Sequence, residues 1–179
     1  MRFIVLSLVV LCCASLVFGQ TPGSIGLYAD PSASMCSIPG AEIIEIFIIH
    51  VQTDGASACQ FKVELPTCLV GLSQSSFFPD TYGNYWENVY IDYTLCMLSP
   101  NILGYFTAQD MGCDNCTYVK VLGNTEEDPP GLLVEICGTV PYFTAASGGQ
   151  FIYKPVLGQC ECDVPTENTT WGQVKALFE

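Results

Sequence analysis

The sequence predicts an all-β protein built as a single antiparallel β-sandwich with a short C-terminal helix, and three observations carry that expectation. Short apolar or alternating runs recur at intervals of about ten residues, the spacing of sandwich strands. Turn signals separate them: "TDGAS", "SPN", "DMGCDN", "NTEEDPPG" and "SGGQ". No helical period appears until the closing "TTWGQVKALFE". An immunoglobulin-like or jelly-roll order of strands satisfies all three.

In chain order, the first segment stands apart from this sandwich. "MRFIVLSLVVLCCASLVFGQ" sets one cation, Arg2, before an apolar run to Phe18 and small Gly19, the pattern of a secretory signal peptide over residues 1–19. Lipid attachment at Cys12 or Cys13 is disfavoured, because Leu11 and Cys12 precede them where small residues are wanted. No later stretch approaches the roughly 20 apolar residues of a membrane-spanning helix, so no span is expected. The expected product is secreted or held at the cell surface, with residues 20–163 as the sandwich and 164–179 as spacer and helix.

The strands follow. "IGLYA" (25–29) is the first, and "IIEIFIIHV" (43–51), apolar on both faces, reads as a central strand. "ACQFKVEL" alternates, with Cys59, Phe61, Val63 and Leu65 on one face and Gln60, Lys62 and Glu64 on the other, as a half-buried strand does. Residues 88–96, 102–108, 117–122, 132–137, 141–146 and 150–154 complete the set. At the end, Thr169 or Thr170 can cap a helix whose Trp171, Val174, Leu177 and Phe178 form one apolar stripe. So short a helix is marginal alone in water, so the stripe is expected to dock on the chain's own sandwich. Recognition by an export or assembly partner is the alternative.

Charge narrows the partners. The chain carries −13 at pH 7, and loss of Arg2 leaves only Lys62, Lys120, Lys154 and Lys175 against 18 acids. Such a surface repels phosphate backbones and anionic lipid heads, which excludes nucleic acid and membrane surfaces as expected partners and leaves extracellular protein or polysaccharide.

Of 11 cysteines, nine lie beyond the signal: Cys36, Cys59, Cys68, Cys96, Cys113, Cys116, Cys137, Cys160 and Cys162. In an oxidising compartment these are disulfide candidates. An odd number leaves one thiol free, bridged to another chain or joined to a small ligand, and connectivity does not follow from spacing. A four-thiolate zinc site from Cys113-x-x-Cys116 and Cys160-x-Cys162 would need reduced thiols in an exported protein, so no metal is expected. The acidic loops 109–115 and 124–128 offer oxygen ligands to calcium but lack the spacing of a recognised calcium loop; solvated turns are the expectation, and no cofactor is assigned. The sequons at Asn115 and Asn168 matter only in a host that glycosylates them.

Taken in order, "IGLYADPSASMC", "IHVQTDGASACQFKVELP", "DPPGLLVEICG", "TAASGGQFIYKP" and "CECDVPTENTTWGQVKALFE" resemble a family of uncharacterised exported bacterial β-sandwich proteins. Many of those end in a Val-Pro-x-Glu-x-Thr-Trp-Gly-x-Ile/Val-Lys-x-Leu-Tyr/Phe segment. It is matched here at Val164, Pro165, Glu167, Thr170, Trp171, Gly172, Val174, Lys175, Leu177 and Phe178. The resemblance implies location and architecture and no activity. "GASACQFKVELP" also resembles the second strand of cohesin-like sandwiches.

Catalytic chemistry finds little material. The single imidazole, His50, falls in register with Ile44, Ile46 and Ile48 and reads as a structural core residue, and no Ser sits in a nucleophile elbow. In "YGNYWENVYIDY" the carboxylates Glu87 and Asp92 would point to opposite faces of a strand, which disfavours a glycosidase pair. The same stretch could present Tyr82, Tyr85, Trp86 and Tyr90, with Asp92, as a platform for sugar rings, set against ordinary core packing. The expected function is a non-catalytic structural or adhesive role, with a carbohydrate-binding module as the alternative.

Overall fold

The structure is a computed structural model that describes residues 21–125, 130–160 and 162. These form thirteen strands: β1 (Ser24–Tyr28), β2 (Ser37–Ile38), β3 (Ile43–Val51), β4 (Ala56–Glu64), β5 (Leu69–Ser76), β6 (Asp80–Gly83), β7 (Val89–Met97), β8 (Asn101–Asp110), β9 (Thr117–Leu122), β10 (Leu133–Ile136), β11 (Tyr142–Ala145), β12 (Ser147–Gly148) and β13 (Gln150–Tyr153). No helix occurs among the described residues. The expected C-terminal helix with Trp171, Val174, Leu177 and Phe178 lies outside them, as does the signal segment.

One sheet has the order β12-β1-β3-β8-β5, and the other runs β11-β10-β4-β9-β13-β2, with β7 also on β4 and β6 beyond it. Strand β4 is the pivot of the second sheet. Its residues 56–61 lie between β10 and β7, and residues 62–64 turn to pair with β9. The expected wholly antiparallel pairing is corrected at two edges, where two-residue strands run parallel, β12 to β1 and β2 to β13.

Both parallel additions arise where the chain crosses between sheets. "SGGQ", expected as a turn, is such a corner: the Gly149 amide donates to the Ile25 carbonyl at 2.8 Å and the Val121 amide to the Gly149 carbonyl at 3.0 Å, stitching the two sheet edges together. A Cβ on Gly148 would strike the Val121 carbonyl, and one on Gly149 would stand 2.8 Å from Gly26 Cα, so backbone approach requires both glycines.

Alternation along the strands sets the core. Ile25 and Leu27 of β1, Ile44, Ile46 and Ile48 of β3 and Phe106 of β8 face Cys59, Phe61 and Val63 of β4 and Val89, Ile91 and Tyr93 of β7. Each large side chain so buried contributes on the order of 1.5–3 kcal/mol. Strand β3 is buried on both faces only in its second half, since Ile43 and Glu45 remain exposed. There, a smaller cluster of Tyr28, Cys36, Ile49 and Val51 covers part of the outer face of the five-stranded sheet.

Candidate functional site

The aromatic stretch 82–93 divides between core and surface. Tyr85, in the turn after β6, is 1% exposed, stacks on Phe61 with centroids 6.0 Å apart, and donates its hydroxyl to the Ser75 carbonyl at 3.2 Å. Burial pushes its phenol up to about 12. Trp86 is half-buried, edge-on to Phe106 at 5.2 Å, and lies over Gly71. These two members of the expected platform therefore belong to the packing of the sandwich. Asn84 holds the same turn: its Oδ1 accepts the Trp86 and Glu87 amides, and its Nδ2 donates to Glu87 Oε2 at 2.6 Å. Glu87 thus sits in the turn, away from Asp92 on β7.

Tyr82 and Tyr90 do reach the surface together. They are cross-strand partners on β6 and β7, with centroids 6.2 Å apart and planes inclined by 37°; Tyr82 is 63% exposed. Register extends their row to Gln60 on β4 and Leu133 on β10. The next row is Asp80, Asp92, Ala58 and Glu135, which places three carboxylates beside the two rings. Thr94 donates its amide to Asp92 Oδ1 at 2.7 Å, and Ser57 donates to Glu135 Oε2 at 2.7 Å. The Tyr90 phenol is raised first by burial and then by the neighbouring charges of Asp92 and Glu135. Sequence reasoning missed Asp80 and Glu135, because only strand register brings residues so far apart into one row.

His50 lies between the sheets and is fully buried. Its Nε2 faces the Pro22 carbonyl at 2.7 Å, which can only accept, so Nε2 carries the proton. Nδ1 is then an acceptor, and the Tyr93 hydroxyl donates to it at 3.0 Å. His50 on β3 thereby ties Tyr93 on β7 to the segment before β1, with Cys59 of β4 packed in the same core cluster as Tyr93. Both nitrogens are thus engaged, and the ring is shut off from solvent. Burial lowers its pKa, partly offset by the Pro22 bond, so the folded chain resists a proton that the unfolded chain accepts. Stability should hold above about pH 6.5 and decline as pH falls below it. Denaturant midpoints measured across that range check this; a midpoint indifferent to pH there would remove His50 from the accounting.

The cysteines resolve into Cys36–Cys162, Cys68–Cys113, Cys96–Cys137 and Cys116–Cys160. Each close pair, 113/116 and 160/162, is divided between separate bridges, which leaves no thiolate set for zinc. The ninth cysteine is Cys59, wholly buried, with its thiol pushed up to about 12 by desolvation. Of the three fates left open for the odd cysteine, the structure shows the free thiol: Cys59 is buried and bonded to no other cysteine. A thiol reagent should find no reactive cysteine in the native protein and one after denaturation without reductant; rapid native labelling would contradict the burial.

Asp110, in the first acidic loop, is engaged by donors of the chain itself. Its carboxylate accepts the Cys113 amide at 2.7 Å, the Lys154 ammonium at 2.6 Å and the Gly112 amide at 2.8 Å, and Tyr153 Oη stands 2.9 Å away. These donors hold its pKa well below the usual carboxylate range, the Cys113 amide first and Lys154 next. In the second loop, residues 126–129 lie outside the described residues. No cluster of three or more His, Cys, Asp or Glu suited to a metal occurs among the described residues.

No protein-family model and no curated protein sequence matches the chain. Among solved structures it is similar to a cohesin module from the Clostridium perfringens ATCC13124 family 33 glycoside hydrolase, with TM-score 0.50 and 9% identity over 76% of this chain and 99% of that one. The likeness is one of fold, and it agrees with the β-sandwich expected from the sequence.

Proposed function

We propose that this chain is an exported, non-catalytic β-sandwich with a structural or adhesive role at the cell surface or outside it. One observation carries the reading: an outer sheet face bearing Tyr82 and Tyr90 is presented by a frame tied with four disulfides, while the chain's single imidazole is sealed between the sheets. Disulfides at this density suit an oxidising compartment. A cohesin-type fold suits a module that works by contact. Beads coated with the mature protein should be retained on surfaces coated with extracellular glycoproteins, and beads coated with reduced, alkylated protein should not. Equal retention of both would refute a role for the folded face.

A specific observation favours the second reading, a carbohydrate-binding module. Tyr82 and Tyr90 offer ring faces for sugar stacking, and Asp80, Asp92 and Glu135 in the adjacent row offer acceptors for hydroxyl groups. Replacing both tyrosines by alanine should abolish retention on polysaccharide while leaving retention on protein intact. The reverse pattern would eliminate the carbohydrate reading.

A further inference from the structure

A second aromatic row lies on the opposite side of the molecule, on the outer face of the five-stranded sheet. Tyr28, Phe47, Tyr105 and Ser75 are successive cross-strand partners on β1, β3, β8 and β5. Phe77, just past β5, continues the aromatic run, with Tyr105 centred 6.0 Å from Phe47 and 6.1 Å from Phe77. Cover over this row is incomplete. Tyr28 is buried under the cluster that includes Cys36 and Cys162, Phe47 and Tyr105 are half-buried, and Phe77 is 57% exposed.

The last described residue, Cys162, is bonded to Cys36 and packs against that same cluster. The chain therefore leaves the described structure on this face, at the covered end of the row. We propose that residues 171–178 dock on the exposed remainder, with Trp171, Val174, Leu177 and Phe178 laid along Phe47, Tyr105 and Phe77.

Reach, length and chemistry agree. Eight residues lie between Cys162 and Trp171, nine backbone steps that can extend about 30 Å, whereas β1 and β5 are three strand spacings apart, about 14 Å. A helical stripe from residue 171 to 178 is about 10 Å long, comparable with the two centroid steps from Phe47 to Phe77. Its spacing places all four apolar groups on one side, which suits a sheet face that is apolar in one row and polar in the next, where Glu45 pairs with Thr107. Lys175, the only cation after residue 162, is opposite in sign to the exposed Glu45 of that face. The Tyr82 and Tyr90 face, on the other sheet, stays open.

The test uses the full mature chain carrying Trp86→Phe, so that Trp171 is its only indole. Trp171 emission should be shifted to the blue of free indole and shielded several-fold from acrylamide, at every protein concentration. Phe77→Ser should return both readings to free-indole values while the far-ultraviolet circular dichroism is unchanged. In the Trp86 chain, Phe77→Ser should lower Tm, and in a chain ending at Thr170 it should not. Free-indole emission in the parent, shielding that ignores Phe77→Ser, or equal Tm losses in both chains would each overturn the assignment. Shielding that appears only as concentration rises would assign the stripe to a second copy instead and overturn it too.

Discussion

Reduction of the four disulfides is expected to abolish cooperative folding of the mature chain. The bridges close segments of 126, 45, 41 and 44 residues. On the chain-entropy model each such closure contributes about 4–5 kcal/mol, against a total stability on the order of 5–15 kcal/mol for a domain. Even allowing for contributions that overlap, the reduced chain loses more than it holds. Each bridge also has a cysteine at or beside the end of a strand. Cys96–Cys137 joins the ends of β7 and β10 beside Gly55, where a Cβ would meet Cys96 Sγ at 3.1 Å, and Cys68–Cys113 clamps the start of β5 to the end of β8. Near-ultraviolet circular dichroism and a thermal scan in excess dithiothreitol are the measurements. An unchanged cooperative transition would show that the sandwich stands without its bridges.

The second large effect is expected at Phe106. Its ring is wholly buried on the inner face of β8, edge-on to Trp86 at 5.2 Å and tilted against Tyr85 at 6.5 Å. Tyr85 in turn fills the space over Gly104, two residues back on the same strand, where a Cβ would collide with its hydroxyl. The three rings thus knit the long turn before β7 to the five-stranded sheet. Phe106→Ala removes the central one and should cost about 3–5 kcal/mol, lowering Tm by on the order of 10 °C. A loss below about 1 kcal/mol would mean that the turn collapses into the vacancy and that the ring cluster is not cooperative.

Where one-dimensional pattern maps onto one face of one strand, the fold was legible. Residues 117–122 form the expected strand, and the alternation in residues 58–65 correctly puts Cys59, Phe61 and Val63 in the core. Strand β5 was not legible, because its "LVGLSQSS" is an edge strand with a bulge between Gly71 and Ser73, which breaks the alternation and admits polar residues. The two-residue strands β2 and β12 are too short for any period to show. At the candidate site, the aromatic stretch was visible as a stretch only. Which rings face water depends on the turn at Asn84, which directs Tyr85 inward, and the carboxylate row depends on a register spanning residues 58 to 135. Disulfide connectivity was likewise beyond the sequence, and so was the fate of Cys59, which depends on its place against Ile91 across the sheet.

One measurement bears most directly on the claim that this chain works by contact and performs no chemistry at its exposed face. The mature protein is incubated with an array of immobilised extracellular polysaccharides and glycoproteins, and both the retained protein and the released fragments are quantified in the same wells. Saturable retention on at least one polymer, without released reducing ends or peptides, is the predicted result. Fragments released by the parent protein and lost in Asp92→Asn or Glu135→Gln would contradict it, as would the absence of retention on every surface.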